Sequence, residues 1–239
     1  MNPTRYDRLD ALRGAAIVWM AAFHLLFDLN HFKLLQPAQN FYTDPLWTLQ
    51  RTCIVSLFLF CAGTGQAVAL HHAQSWKRFW RRWLQVFDCA VLVSVGSAFM
   101  FPSSWISFGV LHGIAVMLVL VRWMAPLRHG LWVVGAAAIA LPQFVSHPFF
   151  DSRWTNWIGL VTRKPVTEDF VPVLPWLGVM CFGLAAGQTV LAHAPMLLKG
   201  GVPALLRPLA GLGRWSLSFY MLHQPVLIGA ILLYLHFRT

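Results

Sequence analysis

The chain has 239 residues, of which 58% are hydrophobic and 11% are charged, and its mean hydropathy is +0.60. Soluble domains carry about a quarter charged residues, so this composition excludes an ordinary soluble protein and predicts an all-α, polytopic membrane protein. The 18 Lys and Arg outnumber the 8 Asp and Glu, but they lie between apolar runs, which indicates a lipid bilayer rather than nucleic acid as the partner.

Seven apolar runs are each long enough to cross a bilayer as a helix. In chain order they occupy residues 11–29, 50–70, 84–101, 106–124, 130–146, 172–192 and 214–236. Turn-forming Pro and Gly residues separate many of them, and the length allows one domain. We therefore predict about seven transmembrane helices in a single integral membrane domain that covers residues 1–239.

The basic residues of the loops predict the orientation. With the N-terminus in the cytoplasm, 12 of the 18 Lys and Arg fall on the cytoplasmic side, which is the side that carries the excess in membrane proteins. We therefore predict that the N-terminus is inside and the C-terminus outside. Residues 74–85 alternate Trp and Phe with Lys and Arg. We interpret this stretch as an interfacial entry into the third span, with a dedicated lipid or ligand site as the alternative.

The ionisable side chains of the first span share one face. Asp10, Arg13, His24 and Asp28 fall within about 60° of one another on a helix that advances about 100° per residue. A titratable group in a bilayer is costly unless it faces a protein or water-filled interior. The stripe therefore predicts a polar cavity that begins near the cytoplasmic surface and reaches mid-membrane at His24.

His24 and Asp28 are the candidate catalytic pair. Their four-residue spacing lets the carboxylate accept a hydrogen bond from one ring nitrogen of His24. This bond would orient the ring and raise the basicity of the other nitrogen, as a general base requires. The alternative is a structural His–Asp pair between packed helices.

Two further histidines, His112 and His223, lie within apolar spans at membrane depth. Three histidines on three helices predict a common polar cavity, although each one alone could serve as a helix–helix hydrogen bond. The sequence has no HxxxH spacing, and its four cysteines lie in apolar runs without a CxxC pair. We therefore predict no metal site.

Several motifs together resemble a known family. The opening Arg8-Leu-Asp10-Ala-Leu-Arg13-Gly14, followed by an apolar run and His24, resembles the start of the heparan-α-glucosaminide N-acetyltransferase family in its compact bacterial branch. The Arg13-x10-His24 spacing is also similar to that of bacterial membrane O-acyltransferases that decorate cell-surface glycans. Later segments are similar to further signatures of the branch, in the same order: Phe-Leu-Phe-Cys-Ala-Gly (58–63), Phe-Gly-Val-Leu-His (108–112), Val-Leu-Pro-Trp-Leu-Gly (173–178) and Leu-Gly-Arg-Trp-Ser-Leu with Tyr-Met-Leu-His-Gln-Pro (within 212–225).

The resemblance implies transfer of an acetyl group from cytoplasmic acetyl-CoA to an amine or hydroxyl of a sugar or cell-envelope glycan, in a bacterial inner membrane. It implies that His24 is the catalytic base and that Arg13 lies near the phosphates or pantetheine of the donor. His31 is a rival base, because animal lysosomal members place the catalytic histidine shortly after the first helix. The remaining residues assigned to orienting groups or to the substrate and donor path are Asp10, Asp28, His112, His223 and Gln224.

Two other classes of function are open at this point. A proton-coupled transporter or flippase could use the same buried His and Asp residues, although no inverted repeat is evident. A scaffold subunit would use them only to hold helices together. The sequence leaves open the acceptor, the acyl chain, N- against O-acylation, direct transfer against an acyl-histidine intermediate, and whether the chain forms a homodimer.

Overall fold

The computed structural model describes residues 6–238, which fold mainly into α-helices. In chain order these are α1 (Asp7–His31), α2 (Pro45–His71), α3 (Trp76–Met100), α4 (Val110–Met124), α5 (Gly130–Phe144), α6 (Val173–His193), α7 (Arg207–Arg214) and α8 (Ser216–Arg238). The β pairing among these residues is an isolated bridge between Phe108 and Phe170. The prediction of an all-α polytopic membrane protein is confirmed.

The seven predicted spans correspond to α1 to α6 and α8. Among the described residues, 6 helices are long and apolar enough to cross a membrane. The remaining one, α5, has 15 residues, about 22 Å at a rise of about 1.5 Å per residue. Helix α3 begins at Trp76 rather than at residue 84, so the basic and aromatic stretch forms its first turns. The short helix α7 is absent from the sequence prediction.

Polar side chains define where two of the helices begin. Ser75 precedes α3, and its hydroxyl accepts a hydrogen bond from the amide of Arg78 at 3.4 Å. The carboxylate of Asp169 accepts one from the amide of Val110, the first residue of α4, at 2.7 Å. These bonds satisfy amide groups that have no partner within their own helix.

The chain divides into two compact units. Within the described residues, the first unit contains 6–58 and 196–238, which hold α1, the first part of α2, α7 and α8. The second unit contains 59–195, which hold the rest of α2 and the helices α3 to α6.

In the first unit, α1 packs against α7 and α8. Gly14 of α1 lies against the carbonyl group of Leu209, and Gly213 of α7 lies against that of Asp10. A Cβ atom at either glycine would overlap the facing backbone. The two helices therefore cross in direct backbone contact, which positions the residues of α1 beside Arg214.

An apolar cluster supports the second half of α1. The ring of Phe23 packs edge-on against Phe41, and Phe41 stacks on Trp47 with ring centroids 4.1 Å apart. Tyr220 of α8 packs against the same cluster. These contacts hold α8 next to α1 at the level where both carry polar side chains.

In the second unit, α6 contacts two other helices through glycines. Gly178 lies against Gly135 of α5, and Gly183 lies against Phe60 of α2. The hydroxyl of Thr64 has the carbonyl oxygens of Phe60 and Gly183 at 2.9 and 3.0 Å. Small residues therefore permit the close helix packing of this unit.

Candidate active site

Four polar side chains from two helices of the first unit meet in an otherwise apolar region. His24 and Asp28 belong to α1, and His223 and Gln224 belong to α8. All four are among the residues that the sequence predicts to be functional. The fold brings them together across about 200 residues of chain.

The Asp28 carboxylate is bound by Gln224. Asp28 is 4% exposed, and the amide nitrogen of Gln224 lies 2.9 Å from its Oδ1 and 3.0 Å from its Oδ2. Because an ionised carboxylate only accepts hydrogen bonds, the nitrogen of the amide must face it. The amide oxygen of Gln224 therefore points elsewhere, and it is buried without a hydrogen-bond partner among the described residues.

His223 is held in one tautomer. Its Nδ1 lies 2.7 Å from the carbonyl oxygen of Tyr220, and a carbonyl oxygen only accepts, so Nδ1 carries the proton. In the neutral ring the other nitrogen, Nε2, is then a bare acceptor. His223 is 9% exposed, and its Nε2 is buried with no hydrogen-bond partner in the described part of the chain.

The ring of His24 stands almost perpendicular to that of His223, with centroids 5.1 Å apart and an interplanar angle of 89°. Phe23 lies beside His24, and Phe219 stacks parallel to His223. The two imidazoles thus share an aromatic environment. Low local polarity strengthens hydrogen bonds and electrostatic interactions made there.

The structure shows no hydrogen bond between His24 and Asp28 among the described residues. In residues 6–238 the carboxylate receives its side-chain hydrogen bonds from Gln224 and none from His24. The four-residue spacing puts both side chains on one face of α1, as predicted. The amide of Gln224 nevertheless approaches from α8 and engages both carboxylate oxygens, so the ring of His24 faces His223 and Gln224 instead.

A charged cluster lies at the start of α1. Arg13 pairs with Asp10 at 3.3 Å. Arg214, at the end of α7, pairs with Asp7 at 2.9 Å and lies 3.9 Å from Asp10. Since α7 touches α1 through backbone at this point, the crossing of the two helices brings Arg214 close to the carboxylate that Arg13 binds.

A cavity of about 290 Å³ opens beside this cluster, and its lining includes Asp7, Arg207 and Arg214. The two arginines are seven residues apart, which is close to two helical turns and places them on one face of α7. Arg13 lies eleven residues before His24 on α1, about 16 Å along the helix axis. The arginine-lined cavity and the histidine pair are therefore two separate regions of one unit.

The comparison with known families supplies the identity. The family model described as heparan-alpha-glucosaminide N-acetyltransferase, catalytic, matches residues 5–225. This chain belongs to that family. No curated protein and no solved structure matches it.

Membership in the heparan-alpha-glucosaminide N-acetyltransferase family makes the chain a membrane-spanning acetyltransferase. The matched region contains α1 to α7, and it reaches the first residues of α8. It therefore includes His24, Asp28, His223 and Gln224. The resemblance stated from the sequence motifs is confirmed.

His112 belongs to the second unit of this acetyltransferase, where each ring nitrogen has a partner. Its Nδ1 accepts a hydrogen bond from the amide of Gly109 at 3.2 Å, so Nε2 carries the proton of the neutral ring. That nitrogen lies 3.1 Å from the hydroxyl of Ser94, which donates to the carbonyl of Ile106 at 2.7 Å. His112 thus caps the start of α4. Its predicted place in a common cavity stays a prediction.

His31, the rival base, is exposed at the last residue of α1. Its ring packs against Phe32, and its imidazole is an electrostatic neighbour of Asp28. His31 is therefore near the polar group but more open to the surroundings than His24.

Sequence reasoning does not assign Arg207 and Arg214 to a site. Their signal in the sequence is weak, because two arginines around a short Pro- and Gly-containing segment are typical of any cytoplasmic loop. The seven-residue spacing becomes informative only once α7 is known to be a helix against α1.

Proposed function

We propose that the chain transfers an acetyl group from acetyl-CoA to an amine of a sugar or cell-envelope glycan, with His24 as the general base. The observation that carries this proposal is the apposition of His24 and His223 beside the buried Asp28–Gln224 pair. Acyl transfer from a thioester needs a base for the proton of the attacking group, correct positioning and donors for the developing oxyanion.

In this mechanism a ring nitrogen of His24 takes the proton of the attacking group. The nitrogen of the acceptor forms a bond to the acetyl carbonyl carbon, the carbon–sulfur bond breaks, and the thiolate takes the proton from His24 and leaves as coenzyme A. His24 suits the role of base because its ring is only partly buried and lies beside His223, the second imidazole of the site.

The second imidazole favours an amine over a hydroxyl as the acceptor. His223 offers a bare Nε2 next to His24, so two acceptor nitrogens lie close together. A primary amine has two hydrogens and can donate to both, whereas a hydroxyl has one. A buried acceptor left unpaired is costly, and this cost supports N-acylation.

The charged cluster at the start of α1 fits the anionic part of the donor. Arginine side chains bind phosphate through fixed, bidentate geometry, and Arg207 and Arg214 line a cavity there. Arg13 pairs with Asp10, which lies 3.9 Å from Arg214, and it falls on the same face of α1 as His24 in the helix register. We place the phosphates of coenzyme A at the cluster, on the cytoplasmic side of a bacterial inner membrane, and the acceptor on the opposite side.

The test measures acetyl transfer from labelled acetyl-CoA to glucosamine by purified protein in lipid nanodiscs. His24→Ala is expected to abolish transfer while the thermal unfolding temperature stays close to that of the wild type. His31→Ala is the matched control, since it removes the rival base from the same helix, and it is expected to retain activity.

Full transfer by His24→Ala would contradict the assignment of the base, and loss only in His31→Ala would move it to His31. Stabilisation by micromolar coenzyme A tests donor binding separately, because a ligand that binds the native state raises its stability. Accumulation of substrate driven by a pH gradient, without acetylation, would support a transporter instead.

A further inference from the structure

Gln224 contacts Asp28 and neighbours His24, and the two polar atoms of its amide have different surroundings. The nitrogen is held at two points by the carboxylate, at 2.9 and 3.0 Å. The oxygen is buried and receives no hydrogen bond from the described residues. Burial of a carbonyl oxygen without a donor costs free energy, so the position of this oxygen indicates a donor close by.

His24 is the side chain that can provide this donor. It lies one helical turn before Asp28 on the same face of α1, and its ring neighbours Gln224 as well as His223. A neutral imidazole has one N–H group, and the acceptors next to His24 are the oxygen of Gln224 and Nε2 of His223. The amide is the better acceptor, because its binding to the carboxylate polarises it and fixes its direction.

We propose that Gln224 is a positioning residue that accepts the ring N–H of His24 at Oε1 and thereby connects His24 to Asp28. The glutamine takes the place of a direct His–Asp hydrogen bond. Neutral His24 is then fixed in one tautomer, with its other nitrogen bare and available to the acceptor. The catalytic meaning of this bond rests on the proposed function, whereas the bond itself does not.

The kinetic test is a double-mutant cycle with Gln224→Leu, Asp28→Leu and the double variant. Gln224→Leu is expected to lower kcat about 10- to 100-fold, because it removes part of the rate factor that a general base contributes. KM for acetyl-CoA is expected to stay nearly unchanged. The double variant is expected to be no slower than either single variant, because all three lose the same connection. It also removes the buried charge together with its partner, which favours folding.

Asp28→Asn is the matched control for orientation. The asparagine carbonyl still accepts the amide N–H of Gln224, so the direction of Oε1 is kept while the charge is removed. We expect Asp28→Asn to retain more kcat than Asp28→Leu. Equal losses in these two variants would contradict a role in orientation.

The structural test is ¹⁵N NMR of histidine-labelled protein, with His24→Asn used to identify the His24 signals. The wild type is expected to show one fixed tautomer for His24, and Gln224→Leu a mixture of both tautomers. An unchanged His24 spectrum in Gln224→Leu would overturn the proposal and indicate His223 as the acceptor. This measurement needs no turnover, so an inactive wild type would contradict the proposed function without affecting the test of the hydrogen bond.

Discussion

Arg13 and His24 lie on one helix but in different electrostatic surroundings. The ion pair of Arg13 with Asp10 is 3.3 Å long, and the two side chains are 28% and 16% exposed. Partly exposed pairs of this kind contribute little to stability. We therefore expect the exchange of Asp10 for an anionic ligand at Arg13 to cost little free energy. Asp10 still has Arg214 as a neighbour at 3.9 Å.

The change Arg13→Gln is expected to raise KM for acetyl-CoA about tenfold, the loss that follows removal of one hydrogen bond to a charged group, while kcat stays nearly constant. Steady-state kinetics at saturating acceptor measure both constants. Arg8→Gln is the control, because Arg8 is exposed and donates to the backbone carbonyl of Met196 at 3.1 Å. An equal rise of KM in both variants would indicate a general effect of surface charge.

The sequence identifies the candidate site residues better than their partners. His24, Asp28, His223 and Gln224 stand out because polar groups are rare and costly in apolar spans. The helical periodicity of α1 also correctly puts His24 and Asp28 on one face. It cannot show that Gln224, 196 residues further along, reaches the carboxylate first, because such a contact depends on the packing of α8 against α1.

At the level of elements, the crossing of α1 and α7 depends on two glycines, Gly14 and Gly213, that lie against the backbone of the facing helix. A third glycine, Gly211, faces open space. Gly213 lies against the backbone carbonyl of Asp10, whereas a Cβ atom at Gly211 of the same helix would have no neighbour within 4 Å. Added atoms therefore clash at one position and find open space at the other. The contrast offers a matched pair of substitutions within one helix.

Gly213→Ala is expected to destabilise the protein by about 1–3 kcal/mol, the usual cost of overpacking. Gly211→Ala is expected to be neutral or to stabilise by up to about 1 kcal/mol, since alanine favours helix over glycine. Reversible unfolding of the two variants in mixed micelles measures the difference. Equal stability would show that α7 moves away from α1 without cost.

The loop between α5 and α6 contains a carboxylate with a lowered pKa. The hydroxyl and amide of Thr162 donate to Asp151, with a weaker bond from the amide of Arg163. These bonds, the hydroxyl bond above all, hold the pKa of Asp151 below its usual value. Because the folded-state pKa is lowered, their stabilisation is present above the unfolded pKa of about 4 and is lost as the pH falls through the lower folded value.

We therefore expect the amide of Thr162 to keep its hydrogen-exchange protection factor between pH 7 and pH 5 and to lose it only below about pH 4. Thr162→Val removes the hydroxyl bond and should shift this loss to higher pH. Asp151→Asn, which does not titrate, is the control and should show protection without this pH dependence. Loss of protection already near pH 6 in the wild type would contradict the assignment.

The helices that the sequence predicts best are the long apolar ones. Their existence follows from hydropathy alone, because a run of about 20 apolar residues has few alternatives to a membrane span. Helix α7 escapes this criterion, since its eight residues gain their stability from packing on α1 rather than from their own composition. The start of α3 is displaced for a related reason, as its basic first turns lower the local hydropathy.

At the level of the whole molecule, the number of membrane crossings depends on α5. The number of basic residues does not decide whether α5 crosses the membrane, because the loops before and after α5 carry similar numbers of Lys and Arg. Within the second unit, Gly135 of α5 contacts Phe182, and Ile139 contacts Gly178. A later residue of α5 thus contacts an earlier residue of α6, so the two helices run antiparallel. Helix α6 is long and apolar enough to cross a membrane.

The first unit gives an independent argument for the crossing of α5. Arg214, which follows α6, pairs with Asp7 at the start of α1 at 2.9 Å. Helix α7 therefore lies beside the start of α1. If each helix from α1 to α6 crosses the bilayer once, the chain reaches α7 on the side where α1 begins. Seven crossings agree with the contact between Arg214 and Asp7, and we expect α8 to end opposite the N-terminus.

We accordingly expect a reporter fused after α8 to lie outside and one fused at Lys199 to lie in the cytoplasm. Alkaline phosphatase, which is active only outside, should be active in the first fusion, and green fluorescent protein should be fluorescent in the second. If α5 lay on the surface without crossing, both reporters would change sides, because every helix after it would be inverted. With the N-terminus inside, seven crossings would place Arg207 and Arg214 of α7 in the cytoplasm, where the proposed acetyl-CoA donor would reach them.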